Sequence, residues 1–140
     1  MSIIKWRHNG RQILLPIALL RPGDPADITN IRLTALVDTG ATTSGIGRSA
    51  IETLHLASHT KKLLKSAHGE DHVSYYIFRI GLFPDTNEAQ SGAALPYVFP
   101  ESEGFGFTPS SGYQAILGMD ILKLCDFSID RRGRCTLSLG

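Results

Sequence analysis

One carboxylate at the mouth of one apolar strand constrains this chain more than any other feature. It lies in the segment Ala35-Leu-Val-Asp-Thr-Gly-Ala-Thr42. Ile31, Leu33, Ala35 and Val37 alternate as one face of a strand, and Leu36 fills the other face near its end. The strand stops at Thr39-Gly40, so Asp38 is expected where buried backbone opens into a loop. Proteins tune acids by holding them in such places, partly shielded from water. Gly40 leaves the backbone free to turn back so that its N–H donates to the carboxylate, and Thr39 sets a hydroxyl beside it.

An acid presented this way is half of a chemical device. Hydrolysis by paired carboxylates needs two of them sharing one proton. The sequence holds one Asp-Thr-Gly and neither a second one nor an Asp-Ser-Gly. Its 140 residues are too few for two lobes of this kind and suit a single domain, 1–140. The second carboxylate is therefore expected from a second copy of the chain. A two-fold homodimer sets identical residues face to face on its axis.

The segment from the strand through Asp38-Thr-Gly-Ala41 resembles the retropepsin-like aspartic peptidases. A downstream segment, Ala115-Ile-Leu-Gly-Met-Asp-Ile-Leu122, resembles the family's pair of apolar residues, glycine and short helix, in the family's order. The resemblance covers roughly residues 13 to 139. It implies a mainly β fold with one or two short helices: a closed-barrel-like acid-protease fold with one lobe per chain. It places the second motif's strand beside the catalytic loop and a flap hairpin at 62–80, with its tip near 67–71. It implies catalytic roles for Asp38, Thr39 and Gly40, with Thr39 bridging to its dimer mate. Substrate contacts are expected from Ala41 and Thr42, from Ala67, His68 and Gly69 at the hairpin tip, and from Ile116 and Leu117. The implied activity is endopeptidase cleavage by a water held between two Asp38 side chains, with no metal and no organic cofactor. The alternative is the same fold kept as a catalytically silent dimerisation or peptide-binding module, although such a module has no use for an unpaired buried acid.

Composition narrows the partners. Hydrophobic residues make up 42% of the chain and charged residues 19%, enough for one sizeable core. The net charge of +1 comes from interspersed acids and bases, with no basic stripe, so no nucleic-acid partner is expected. No apolar run is long enough for a transmembrane helix, and no membrane partner is expected. The run Ile13–Leu20 behind Lys5, Arg7 and Arg11 imitates a signal peptide. Pro16 interrupts it and no small-residue cleavage site follows, so it reads as a first strand. Pro16 should lie at an edge or a bulge of that strand. Cys125 and Cys135 are expected to be free thiols in the core, because a turn over 131–134 would face Asp130 to Cys135 and leave Cys125 out of register. Free thiols favour a reducing compartment, hence a cytoplasmic location.

The remaining features have plainer readings. Residues 47–55 carry Ile51 and Leu54 at helical spacing, and 95–99 reads as a short strand. The stretch 101–112, rich in glycine and serine with Pro109, reads as a mobile surface loop. Asp120 is expected to open a helix over 120–124, where a negative charge suits the N-terminus. His68 and His72 read as solvated hairpin-tip residues, and His55 and His59 as surface residues without a third metal ligand. Trp6, Tyr75, Tyr76 and Phe78 read as core or interface. Ser44 and Ser49 near His55 raise a nucleophile mechanism, but no strand-turn-serine elbow accompanies them. Ala35-Leu-Val-Asp and Ala115-Ile-Leu-Gly echo one another.

Overall fold

The computed structural model describes residues 2–66, 69–84, 95–109 and 112–140. Its strands are β1 (Ser2–Arg7), β2 (Leu14–Leu20), β3 (Asn30–Val37), β4 (Gly45–Gly47), β5 (Ser58–Ser66), β6 (Gly69–Leu82), β7 (Tyr97–Val98), β8 (Ser102–Phe107), β9 (Ala115–Leu117), β10 (Asp126–Ile129) and β11 (Arg134–Leu139). Among the described residues two short helices join them, α1 (Arg48–Thr53) after β4 and α2 (Met119–Leu122) after β9.

The larger sheet closes on itself. Its strands follow the order β2-β3-β9-β4-β8-β6, and β6 then pairs back onto β2, with Ile17 opposite Leu82 and Leu20 opposite Arg79. β5 and β7 hang on β6 outside this ring. The ring agrees with the mainly β, barrel-like architecture expected from the sequence. A second sheet, β1-β11-β10, pairs the N-terminal strand with the C-terminal one, from Ser2 opposite Leu139 to Arg7 opposite Arg134. The N-terminal residues Ser2–Arg7 thus form a strand of this chain's own sheet.

Alternation explains the core. On β2, Leu15, Ile17 and Leu19 are enclosed, and on the neighbouring β3 Ala35 and Val37 are buried beside them. They join Ile4, Leu137 and Leu139 of the smaller sheet and Ile121 of α2 in one apolar cluster. The run that imitates a signal peptide is therefore a core strand. Pro16 lies opposite Thr34 on β3, just before the stretch where β2 gains β6 as its second neighbour. Its missing N–H falls where only one side of the strand is paired.

The structure corrects two readings. Residues 102–107 are not a surface loop but β8, parallel to β4 and antiparallel to β6. The glycines there serve close approach. A Cβ on Gly104 would sit 2.2 Å from the Ser44 carbonyl oxygen, and one on Gly106 would sit 2.8 Å from the Tyr76 ring. The β10–β11 turn is also shifted by one residue, with Ile129 rather than Asp130 opposite Cys135. Asp130 is taken up by the turn: its carboxylate accepts from the N–H groups of Arg132 and Arg134 at 2.8 and 3.0 Å and from Arg134 Nε at 2.6 Å. Those bonds, the Arg134 backbone one first, hold its pKa below the usual carboxylate value. Both cysteines are free, and burial raises the Cys125 thiol to about 11, with Asp126 adding to the effect.

Candidate active site

Asp38 stands one residue beyond the end of β3. Val37 below it is 7% exposed, whereas Asp38 is half-buried and Thr39 and Gly40 are exposed. The desolvation expected of the carboxylate is therefore incomplete in a single chain. Its backbone is firmly held. Val37 donates to the Ile13 carbonyl at 2.8 Å, Asp38 to Leu117 at 3.0 Å, and Ala41 to the Asp38 carbonyl at 3.2 Å, closing the turn. The Gly40 N–H donates to Asp38 Oδ1 at 2.9 Å, the bond expected from the glycine. A Cβ on Gly40 would lie 3.2 Å from that oxygen, tighter than most real contacts. Among the described residues, this is the one hydrogen bond to the carboxylate. Ala41 has no hydroxyl to donate, and Thr42 is exposed.

The second motif lies beside the first. β9 runs parallel to β3 with Ala35 opposite Ala115, Leu36 opposite Ile116 and Val37 opposite Leu117. Gly118 follows directly. A Cβ there would meet the Thr43 carbonyl oxygen at 2.7 Å and that of Ala41 at 2.9 Å, so only glycine fits under the loop. Ile116 is partly exposed, whereas Leu117 is enclosed in the core. What Leu117 offers the site is its carbonyl, not a side-chain contact.

Three residues matter that sequence reasoning did not join. Ser44, fully buried, donates its N–H to Asp120 Oδ2 at 3.0 Å and its hydroxyl to Oδ1 at 2.7 Å. The same hydroxyl accepts the Gly118 N–H at 3.0 Å. Asp120 does face its own helix, accepting the Ile121 N–H at 3.0 Å, but α2 begins at Met119 and ends at Leu122. With its hydroxyl so engaged and no path to solvent, Ser44 is no nucleophile. Gln114 ties the entrance of β9 to both neighbours: its side chain accepts the Thr34 N–H at 3.0 Å, its N–H donates to Thr34, and its carbonyl accepts from Gly47. No local pattern marks these partners, because Ser44 and Asp120 are 76 positions apart.

β5 and β6 form the long hairpin expected at 62–80, here spanning Ser58–Leu82, with Ser66 opposite Gly69. Gly69 has φ +122°, a conformation that favours glycine. Ala67 and His68, the expected substrate contacts at its tip, lie outside the described residues, as do Ser110, Ser111 and residues 85–94. The hairpin's stem is tied to β8 through Glu103, which pairs with Lys62 and with His59 Nε2 at 3.1 Å. Lys62 Nζ also lies 5.0 Å over the Tyr75 ring. His59 thus has a carboxylate partner, and no cluster of His, Cys, Asp or Glu among the described residues could hold a metal ion.

The ring, the Asp-Thr-Gly loop on β3 and the parallel β9 beneath it define the fold of a retropepsin-like aspartic protease. A solved structure described as a retropepsin-like aspartic protease from Rickettsia conorii superposes over 99% of this chain and 93% of that chain, with a TM-score of 0.61 at 13% sequence identity. That identity supports the fold and nothing finer. No protein-family model matches the sequence, and no curated protein matches it. No helix among the described residues is long and apolar enough to cross a membrane.

Proposed function

We propose that the chain is an aspartic endopeptidase that works as a homodimer, with two Asp38 side chains on the two-fold axis. The observation that carries this reading is the presentation of Asp38. One carboxylate stands at the end of a buried strand, on an exposed Thr-Gly turn whose N–H donates to it, in an acid-protease fold. A single chain offers one such acid, and the exposed face of Thr39 and Gly40 is where a second copy would meet it.

In the dimer the two carboxylates hold a water between them. Like charges so close do not both ionise, so the pair carries one proton. The ionised acid takes a proton from the water as it attacks the scissile carbonyl carbon. The protonated acid donates to the carbonyl oxygen, and a proton then passes to the leaving amine as the C–N bond breaks. Gly40 holds one carboxylate oxygen and Thr39 bridges toward its mate. The peptide lies extended beneath the β5–β6 hairpin, which acts as the flap and excludes water. Ala41, Thr42 and Ile116 line the floor, and Gly69 of the hairpin faces them from above.

The test is cleavage of a peptide library by the parent and by Asp38→Asn, with and without a pepstatin-type inhibitor. The variant should keep the fold and lose turnover by about 10³-fold or more, as for other essential acid–base groups. Cleavage by clean variant protein within tenfold of the parent would overturn the assignment. Activity per chain should also fall on dilution, because dissociation separates the acids. A fully active monomer in sedimentation would remove the dimer.

A further inference from the structure

Four consecutive residues, Leu117 to Asp120, hold the loop that carries Asp38. Leu117 accepts the Asp38 N–H at 3.0 Å and Met119 donates to the Ala41 carbonyl at 2.8 Å. Gly118 donates to Ser44 Oγ at 3.0 Å, and Asp120 accepts both the N–H and the hydroxyl of Ser44. The loop is thus fastened at its start, middle and end by one short segment. The first two fastenings are backbone to backbone. The third depends on two side chains, Ser44 and Asp120.

We infer that Asp120, acting through Ser44, is a positioning residue for Asp38: it fixes the far end of the catalytic loop and so sets where the carboxylate stands. The inference rests on the peptidase reading above. Ser44 is fully buried, and Asp120 supplies the acceptors for both its N–H and its hydroxyl. Removing the carboxylate takes both acceptors away, and whatever partner replaces them, a water included, no longer ties the loop end to α2. The Asp38 end would stay in the ladder beside β9. The exposed turn between, Thr39 to Thr42, would then lose its fixed path. Two acids that must share a proton and a water tolerate little displacement, so such a shift acts on turnover before it acts on substrate binding.

Chemistry predicts an order among substitutions. Asp120→Asn keeps one acceptor oxygen and adds an amide donor. With its oxygen toward the Ser44 N–H, the amide can donate to the Ser44 hydroxyl, which then loses the acceptor for its own proton; in the other orientation the amide donor meets the Ser44 N–H directly. Asp120→Ala supplies no acceptor at all. The experiment measures kcat and KM separately for both variants, with amide hydrogen exchange of the protein without substrate. Turnover should fall about tenfold for Asp120→Asn and about a hundredfold for Asp120→Ala while KM stays within about twofold, the pattern of misplaced catalytic groups. Exchange at Ala41 and Met119 should quicken, while Asp38 in the ladder and Ile4 and Leu137 in the smaller sheet stay protected. An Asp120→Ala protein with kcat within about threefold of the parent, or exchange that quickens equally in both sheets, would overturn the role. If Asp120→Ala does not fold, Ser44→Ala decides by the same readouts. It leaves Asp120 with the N–H groups of Ser44 and Ile121 but deprives Gly118 of its acceptor, and unchanged turnover with unchanged exchange would refute the inference. Exchange needs no turnover, so it judges the clamp even if Asp38→Asn cleaves as well as the parent and the peptidase reading falls.

Discussion

β3 and β9 run side by side, with Ala35 opposite Ala115, Leu36 opposite Ile116 and Val37 opposite Leu117. The echo between the two segments is therefore also an echo in space: two similar apolar triplets, Ala-Leu-Val and Ala-Ile-Leu, in the same direction and register. In both, the residues flanking the middle one are buried and the middle one is partly exposed. The fourth position separates them. β3 continues into Asp38, whose side chain reaches an exposed turn, and β9 continues into Gly118, over which the Ala41 and Thr43 carbonyls pass within 3 Å of where a Cβ would be. One strand end bears the chemistry, and the other bears nothing so that the first can be held. Each then leads to a short helix, α1 by way of β4 and α2 directly.

This division predicts that changes at the fourth position separate function from stability. Asp38→Asn, the largest expected effect at about 10³-fold in turnover, should leave the melting temperature within a few degrees, since its side chain accepts one exposed hydrogen bond. Gly118→Ala should do the reverse. Its methyl would press on main-chain carbonyls that β3, β4 and α2 hold from both sides, so destabilisation of about 3 kcal/mol is expected, in the range of severe overpacking. Urea unfolding of the two variants beside the parent measures both. If Gly118→Ala unfolds at the parental urea concentration, the glycine is not there to admit the loop.

Much of this contrast was legible in the sequence. An apolar strand ending at Asp-Thr-Gly and a downstream Ile-Leu-Gly are local patterns, and local patterns fix strand faces and turns. The backbone bond from Gly40 to Asp38 followed from residue types alone. What failed mostly involved partners distant in sequence, and in one case, Asp130, a competing local turn. Gly104 and Gly106 looked like loop punctuation because glycine favours turns. In the fold they are strand residues made small by the Ser44 carbonyl and the Tyr76 ring. Asp120 was legible as a helix-opening acid. It also bonds twice to Ser44 across the site, and Ser44 itself was weighed only as a nucleophile. Asp130 was misplaced by one position because its use as a turn acceptor competes with pairing in the strand.

The helices that follow the two strands extend the comparison and give the smallest effect. α2 closes without any positive-φ residue, whereas α1 closes on His55, the one non-glycine residue with positive φ among those described, at 53°. Around it the Leu56 N–H bonds the Ile51 carbonyl at 3.0 Å and the His55 N–H bonds that of Glu52 at 3.1 Å. These bonds make the closing motif that ordinarily carries glycine at this position. The His55 side chain is exposed, so its removal forfeits little packing. Relief of the left-handed conformation gains about 1 kcal/mol, and the greater freedom of glycine in the unfolded chain takes back roughly half of that. His55→Gly should therefore stabilise the protein by about 0.5 kcal/mol, and His55→Ala, which keeps a Cβ, should not. Neither should alter turnover, because α1 closes well after the loop's last fastening at Ser44. A His55→Gly protein less stable than the parent in urea would mean that the imidazole has a role its exposure conceals. A change in its kcat would mean that α1, and not only α2, takes part in holding Asp38.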